Sequence, residues 1–309
     1  MISEIPKNAP IAQLDNIDDY NKWVGAETLN PLVSIIDLSK CGEISKGLKR
    51  LGFYAVFLKD VRCGDMVYGR QTYDYQEGTL VFIAPGQVVG VIDDGVKIKP
   101  KGWALLFHPD LLRGTPLAKE IHTFSFFSYQ SNEALHLAER ERDVVLECFH
   151  NILSELEHDI DKHSKRLITS NIELFLNYCV RFYDRQFITR DNVNKDALSR
   201  LEEIINDYYL SGKAAENGLL SVSYCADALH LSPNYLGDLI KKETGLSPQM
   251  HIRRTLINLA KDYLADPQLT VNEISYKLGF QYPQHFTRMF KKETGRSPKE
   301  YRDSYYTRN

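Results

Sequence analysis

The sequence predicts an α+β chain in two parts: an N-terminal β-barrel carrying long helices, and a C-terminal all-α domain built from two helix-turn-helix units. Three observations predict it. The run Lys241-Lys242-Glu243-Thr244-Gly245 returns as Lys291-Lys292-Glu293-Thr294-Gly295, and Ser247-Pro248 and Ser297-Pro298 follow the two copies at the same distance. From Phe53 to His108 short β-type runs alternate with turn residues, and beyond them two long stretches carry apolar residues at helical spacing. At 309 residues the length itself suggests two domains. The boundaries are placed at 1–187 and 198–309, with a linker over 188–197.

In chain order, the β-type runs are Phe53 to Leu58, Met66 to Tyr68, Thr72 to Tyr75, Thr79 to Ile83, Gln87 to Val91, Val96 to Ile98 and Trp103 to Phe107. Gly64, Gly78, Pro85-Gly86 and Gly95 punctuate them. Short strands with regular turns read as a sandwich or small barrel, here placed over about 30–110. Tyr54, Tyr68, Arg70, Tyr73, Tyr75 and Trp103 offer aromatic faces and one guanidinium, a mixture that suits a small polar or anionic ligand. They equally fit ordinary strand positions. No histidine precedes Pro100, so the strands lack the converging imidazoles of a metal enzyme, and catalysis, a metal and a cofactor are not expected.

Helical segments occupy about 132–187. Val145, Phe149, Ile152 and Leu156 recur at spacings of four, three and four, and Ile168, Ile172, Phe175, Cys179 and Phe182 continue the rhythm. Two such stripes suit an antiparallel pair. What they leave outward fits either a two-fold interface or solvent. The polar, aperiodic run 188–195 reads as the interdomain linker.

In the first repeat copy, Ser221 caps a helix whose inner residues are Val222, Ala226 and Leu229. Ser232 and Pro233 start a second helix, with Leu236, Leu239 and Ile240 inward and Asn234, Tyr235, Gly237, Asp238, Lys241 and Lys242 outward. His230 stands where the other copy has a glycine, less comfortable if φ is positive. A continuous helix over 248–264 joins the copies, and Arg253 and Arg254 on it are candidates for phosphate contact. In the second copy, Thr270 and Glu273 form a capping box, Ile274 and Leu278 face inward, and Gly279 ends the helix. Pro283 opens the next, with Phe286, Met289 and Phe290 inward and Gln284, His285, Thr287, Arg288 and Lys291 outward, followed by Lys292. Polar and cationic groups near the start of the second helix of such a unit are placed to meet base edges.

The segment 198–306 resembles the DNA-binding domain of the AraC/XylS family of bacterial transcription regulators. The resemblance rests on Ala228 to Leu236, Ile274 to Phe280, and above all Phe286 to Tyr301. It implies base reading by Asn234, Gly237 and Asp238 in the first unit and by Gln284, His285, Thr287 and Arg288 in the second. Gly237 and Asp238 are unusual occupants there. Given that family, Gly78 to Gly86 is similar to a strand and turn of the cupin-like sensor barrel that often precedes the domain. The implied function is sequence-specific regulation of transcription, under a small-molecule effector or without one. The implied partners are double-stranded DNA, a second copy of the chain and RNA polymerase.

The charge agrees with a local nucleic-acid surface. The chain carries −3 in all, but 198–309 holds fifteen Lys/Arg against thirteen Asp/Glu, or +2, which leaves −5 for the remainder. Between Arg288 and Arg302 six cations face two acids. Cys41, Cys63, Cys148, Cys179 and Cys225 are dispersed without metal spacing, which suits a reducing cytoplasm. The opening residues show no export signal, and no apolar run approaches the ~18 residues of a membrane span.

Overall fold

The computed structural model describes residues 11–59, 78–91, 95–129, 133–159, 161–189 and 191–306. They form two compact units that divide between Thr189 and Arg190. The expected strands at 66–68 and 72–75, together with Cys63, Tyr68, Arg70, Tyr73 and Tyr75, lie outside the described residues.

The first unit begins with β1 (Ile11–Leu14), α1 (Ile17–Val24), β2 (Val33–Asp37), β3 (Ile44–Ser45), β4 (Gly47–Leu51) and β5 (Tyr54–Lys59). It continues through β6 (Thr79–Ile83), β7 (Val88–Val91), β8 (Lys97–Ile98) and β9 (Trp103–Phe107). Short helices α2 (Pro109–Leu112) and α3 (Leu117–Glu120) lead to β10 (Leu135–His136), α4 (Glu139–Glu157) and α5 (Ser164–Thr189).

Among the described residues the strands do not close into the expected barrel. They fall into three sheets ordered β10-β6-β5-β9-β2, β1-β4-β7 and β3-β8. The physical reason lies in the five-stranded sheet, which is covered on both faces. Strand alternation sends Ile36, Ala55, Ile83, Ala104 and Leu106 to one face, where they pack with Ile17, Tyr20, Val24, Leu51 and Phe53. Val56, Leu58, Leu80, Phe82, Leu105 and Phe107 go to the other and are all buried. There Phe82 lies 4.4 Å from Phe126, 6.5 Å from Phe175 and 6.2 Å from Tyr183, ring centre to ring centre. A sheet buried on both sides reads as continuous apolar runs, which is how the sequence from Phe53 to Leu58 and from Trp103 to Phe107 looks.

The expected helix pair is present as α4 and α5, with Val145, Phe149, Ile152, Ile168, Ile172, Phe175, Cys179 and Phe182 buried. A clamp at the end of α5 holds the two-residue strand β10. Gln186 accepts from the His136 N–H at 2.8 Å and donates to the Ala134 carbonyl at 3.2 Å. Arg185 donates to the His136 carbonyl at 2.6 Å and grips both oxygens of Glu141 at 2.9 and 2.7 Å.

The second unit comprises α6 (Asp191–Leu210), α7 (Lys213–Asn217), α8 (Val222–Leu229), α9 (Pro233–Thr244) and α10 (Pro248–Leu264). It ends with α11 (Val271–Lys277), α12 (Pro283–Thr294) and α13 (Pro298–Tyr306). The stretch 188–197, expected as an irregular linker, is helical from Asp191. Once the amphipathic part of α6 is formed, with Leu201, Ile205, Tyr208 and Tyr209 buried, extending it through polar residues costs little.

Arg185→Ala should lower the stability of the first unit by about 1–2 kcal/mol in urea unfolding, because it leaves the half-buried Glu141 carboxylate with only the Ala138 N–H and removes one of the bonds that hold β10. An unchanged midpoint would show that the clamp is dispensable.

Candidate nucleic-acid interface

Each repeat copy is built from a short helix, a turn and a second helix, and local capping sets most of their limits. Ser221 accepts from the Tyr224 N–H at 3.1 Å to start α8, and Ser232, itself 4% exposed, accepts from the Tyr235 N–H at 3.1 Å to start α9. In the second copy Thr270 accepts from the Glu273 N–H at 3.2 Å while the Glu273 carboxylate takes the Thr270 N–H at 2.7 Å, the expected capping box. Those bonds hold the Glu273 carboxyl below its ordinary range.

The repeated five residues are a stop signal followed by a restart. Thr244 and Thr294 donate to the carbonyls of Ile240 and Phe290, each at 2.7 Å. Gly245 and Gly295 take φ of 73° and 78° to end the helices. Ser247 and Ser297 then cap α10 and α13, with Pro248 and Pro298 in the first turn.

The turns between the helices differ as the sequence suggests. Gly279 has φ of 89°, and His230 has φ of 57°, the one non-glycine residue with positive φ among the described residues. An imidazole-bearing residue there carries local strain that the glycine does not.

The inner faces of α9 and α12 are buried: Leu236, Leu239 and Ile240 in α9, Phe286 and Phe290 in α12. Met289 is half-buried. The outward set of α12 is present as expected, with Gln284, His285, Arg288, Lys291 and Lys292 exposed and Thr287 half-buried. In α9, Asn234, Lys241 and Lys242 are exposed, and Gly237 and Asp238 are half-buried. Tyr235, expected outward, is 5% exposed and joins the core. The buried stripe of α9 takes adjacent pairs, 235–236 and 239–240, and is wider than the spacing rule for one row of contacts. Arg253, expected as a candidate for phosphate contact, donates to Glu293 at 3.2 Å, and Arg254 is exposed.

Tyr282 is not among the expected site residues. It directly precedes Pro283 as Ser232 directly precedes Pro233, gives α12 no side-chain cap, is 54% exposed, and sets its ring edge-on to His285 at 5.5 Å.

Of the expected effector residues only Tyr54 and Trp103 are described, and these two are not brought together. Tyr54 and Trp103 lie at opposite ends of the β5–β9 ladder, where Tyr54 pairs with Phe107 and Leu58 with Trp103. Tyr54 stacks on Phe107 at 4.9 Å, and Trp103 meets the His150 ring at 5.2 Å. Both belong to the face shared with Val56, Leu58 and Leu105, the one packed under aromatic side chains, so the parity of the strands sets them outside the core around Tyr20 and Phe53. Among the described residues a cation lies beside that core: Lys49 is 8% exposed, with its ammonium 3.9 Å from the centre of the Trp23 ring.

Two helix-turn-helix units in tandem, joined by one seventeen-residue helix and each presenting a polar or cationic helix face, define a DNA-binding domain. A helix-turn-helix domain family matches residues 225–304. The chain is 28% identical over 147 residues to the uncharacterized HTH-type transcriptional regulator YijO of Escherichia coli K12, covering 48% of either chain. It is 34% identical over 77 residues to the HTH-type transcriptional activator RhaS of Escherichia coli O9:H4, covering 25% of this chain and 28% of that one. Among solved structures, it is similar to the C-terminal domain of the two-component response regulator yesN from Fusobacterium nucleatum, with 28% identity, 35% of this chain, 98% of that chain and a TM-score of 0.31. The chain thus spans about half or less of the length of these curated relatives, which are HTH-type transcriptional regulators. Its C-terminal helix-turn-helix domain belongs to the AraC type.

Thr270→Ala should cost the second unit about 1 kcal/mol in thermal unfolding. Because the Glu273 carboxyl is lowered in the folded state, its contribution is complete above the ordinary value of 4.5 and is lost as pH falls through the folded value. In Glu273→Gln that acid-side loss should disappear from the stability profile; a profile identical to the parent's would show that the box does not operate.

Proposed function

We propose that the chain is a sequence-specific DNA-binding transcription regulator that acts in the cytoplasm. The single observation that carries this reading is the tandem of capped helix-turn-helix units whose exposed helix faces hold Asn234, Lys241, Gln284, His285, Arg288, Lys291 and Lys292. A strut of seventeen residues is about 25 Å long, which approaches the ~34 Å repeat of the duplex. The two helices then address successive major-groove segments on one side of the DNA. Arg288 is the residue of choice for a guanine edge, and Lys292, one turn further along the helix, meets phosphate.

The first unit acts as sensor and dimerisation domain in this reading. The buried Lys49, held over Trp23 inside the first unit, supports a small anionic effector, and the effector acts by its different affinity for the DNA-bound and free arrangements. Leu167 and Leu174, 47% and 48% exposed and seven residues apart on α5, support a second copy of the chain as partner. RNA polymerase is the further partner that activation would require. Control by a protein partner or by abundance, without an effector, is the second reading, and a thermal-shift panel of small anions against Lys49→Met decides between them. A shift lost in that variant favours the effector, and no shift from any anion favours the second reading.

Selection of bound sequences from a random DNA library tests the function itself; enrichment of no motif would sink it. Arg288→Ala should cost about 1–3 kcal/mol on the selected site and relax preference at one position. Lys292→Ala should weaken every sequence alike and reduce the salt slope by about one. Equal losses on all probes from both variants would remove the division of labour.

Gly237 gives a sharper test. It lies inside α9 with nothing within 4 Å of where a Cβ would be, so no contact in the described structure requires a glycine there. Gly237→Ala should raise stability by about 0.5–1 kcal/mol and yet weaken DNA binding, because the bare backbone lets the duplex approach. A more stable variant with unchanged affinity would show that DNA does not come close at that point.

A further inference from the structure

The tandem repeat supplies two recognition helices, but a single joining helix does not fix how they stand. The chain leaves α10 at Leu264 and enters α11 only at Val271, and a connection of that length would let the second copy swivel. Contacts within the C-terminal unit oppose that freedom. Arg302 of α13 donates from Nε to the Leu264 carbonyl at 3.0 Å, and Arg253 of α10 holds Glu293 near the end of α12 at 3.2 Å.

A further contact comes from an element that only the first copy has. The short helix α7 and Gly218 precede α8, while the corresponding stretch before α11 contains no helix. The turn of the second copy runs directly against this segment. A Cβ placed on Gly279 would lie 2.7 Å from both the carbonyl carbon and the oxygen of Gly218, and 2.9 Å from the Ala214 oxygen. Those are backbone atoms, so nothing there gives way without moving the chain. Gly279 also needs its φ of 89°, and Gly218 has φ of 84° with ψ of −158°, a combination essentially reserved to glycine. The Gly218 carbonyl is anchored from the other side, because it accepts from the Tyr208 hydroxyl at 3.0 Å. Tyr208 belongs to α6, and its ring packs edge-on to Tyr224 of α8 at 5.1 Å. The first copy therefore touches the turn that leads into α12.

We propose that Gly218 and Gly279 are a positioning pair that locks the two recognition helices into one rigid reading head, so that the protein requires a two-part DNA site with a single permitted spacing. The proposal rests on the reading of both helices as DNA-contacting. One inserted base pair moves a half-site by ~3.4 Å and turns it by about a tenth of a revolution. A rigid head cannot follow both changes. A pair joined only through the strut would accommodate them by swivelling.

The test measures affinity of the full chain, at one salt concentration, for its selected site with one or two base pairs inserted or removed between the halves. The expected result is a loss of about tenfold or more for a single base pair, equivalent to ~1.4 kcal/mol. Gly279→Ala forces the two backbones apart and should bind the native spacing more weakly while its insertion penalty shrinks to about threefold or less. Tyr208→Phe removes only the hydroxyl that anchors Gly218, and should shrink the penalty part of the way with the helical content unchanged. Should Gly279→Ala fail to fold, Tyr208→Phe decides alone. A parent protein that tolerates the insertions overturns the proposal, as does a Tyr208→Phe variant whose spacing profile matches the parent's. A purely structural role would lower affinity at every spacing by the same factor, which also counts against it. Absence of sequence preference at any spacing would instead sink the DNA-binding reading.

Discussion

The buried stripe beneath each recognition helix is the constraint on which the rest of the C-terminal unit depends. Phe286 and Phe290 lie four residues apart in α12 and are fully buried; Leu236 and Ile240 are their counterparts in α9. Each such aromatic or aliphatic anchor is worth several kcal/mol against a cavity, so the stripe fixes the rotation of the helix about its own axis. With a period of 3.6 residues, that rotation decides every outward position at once. Arg288, Lys291 and Lys292 face outward because Phe286 and Phe290 cannot. The same anchors connect the recognition helix to the last helix of the unit: Phe290 meets the ring of Tyr301 on α13 at 5.5 Å, and α13 in turn sends Arg302 to the end of the strut. Surface chemistry and internal rigidity therefore come from one set of contacts.

The parts of this fold that were legible in the sequence are those whose physics is local. A capping box spans four residues, and Thr270 to Glu273 forms the one its residue types imply. The Thr-Gly-x-Ser-Pro stretches carry their own stop and start, which is why both copies end and resume where the sequence says. The α4 and α5 stripes were legible for the same reason, since their periodicity runs over several turns. What escaped is what depends on partners distant in the chain. Tyr235 looks outward on its own helix but has neighbours from elsewhere to bury it. Strand runs from Phe53 to Phe107 show β structure without saying whether the sheet closes, and the parity that sends Trp103 away from the interior core is set by pairing with β5. Lys49 reads as a surface lysine until Trp23 lies against it. The approach of Gly218 to Gly279 joins residues about sixty apart, and each glycine alone reads only as a turn.

The two copies are unequal, and the inequality has a direction. Around α12 the exposed groups are cationic or hydrogen-bonding, whereas α9 has Gly237 and Asp238 where α12 has Thr287 and Arg288. A carboxylate on a recognition face repels phosphate and accepts from few base edges. On the proposed reading the second copy is thus the better reader, and the first offers close approach and position. A net charge of only +2 over 198–309 points the same way: the domain cannot rely on long-range attraction and must place its few cations well.

Three positions in or beside α9 and α12 break the local rules of helix stability. Tyr282 occupies a helix start where Ser221, Ser232, Ser247, Thr270 and Ser297 show that a capping hydroxyl is the habit of this unit. Gly237 interrupts α9 without a crowded neighbour to demand it. His230 holds a left-handed turn that the second copy gives to glycine. Each departure costs on the order of 0.5–1 kcal/mol or somewhat more. On the proposed reading these three departures have one cause, since local consistency is given up where a partner, not the fold, sets the requirement.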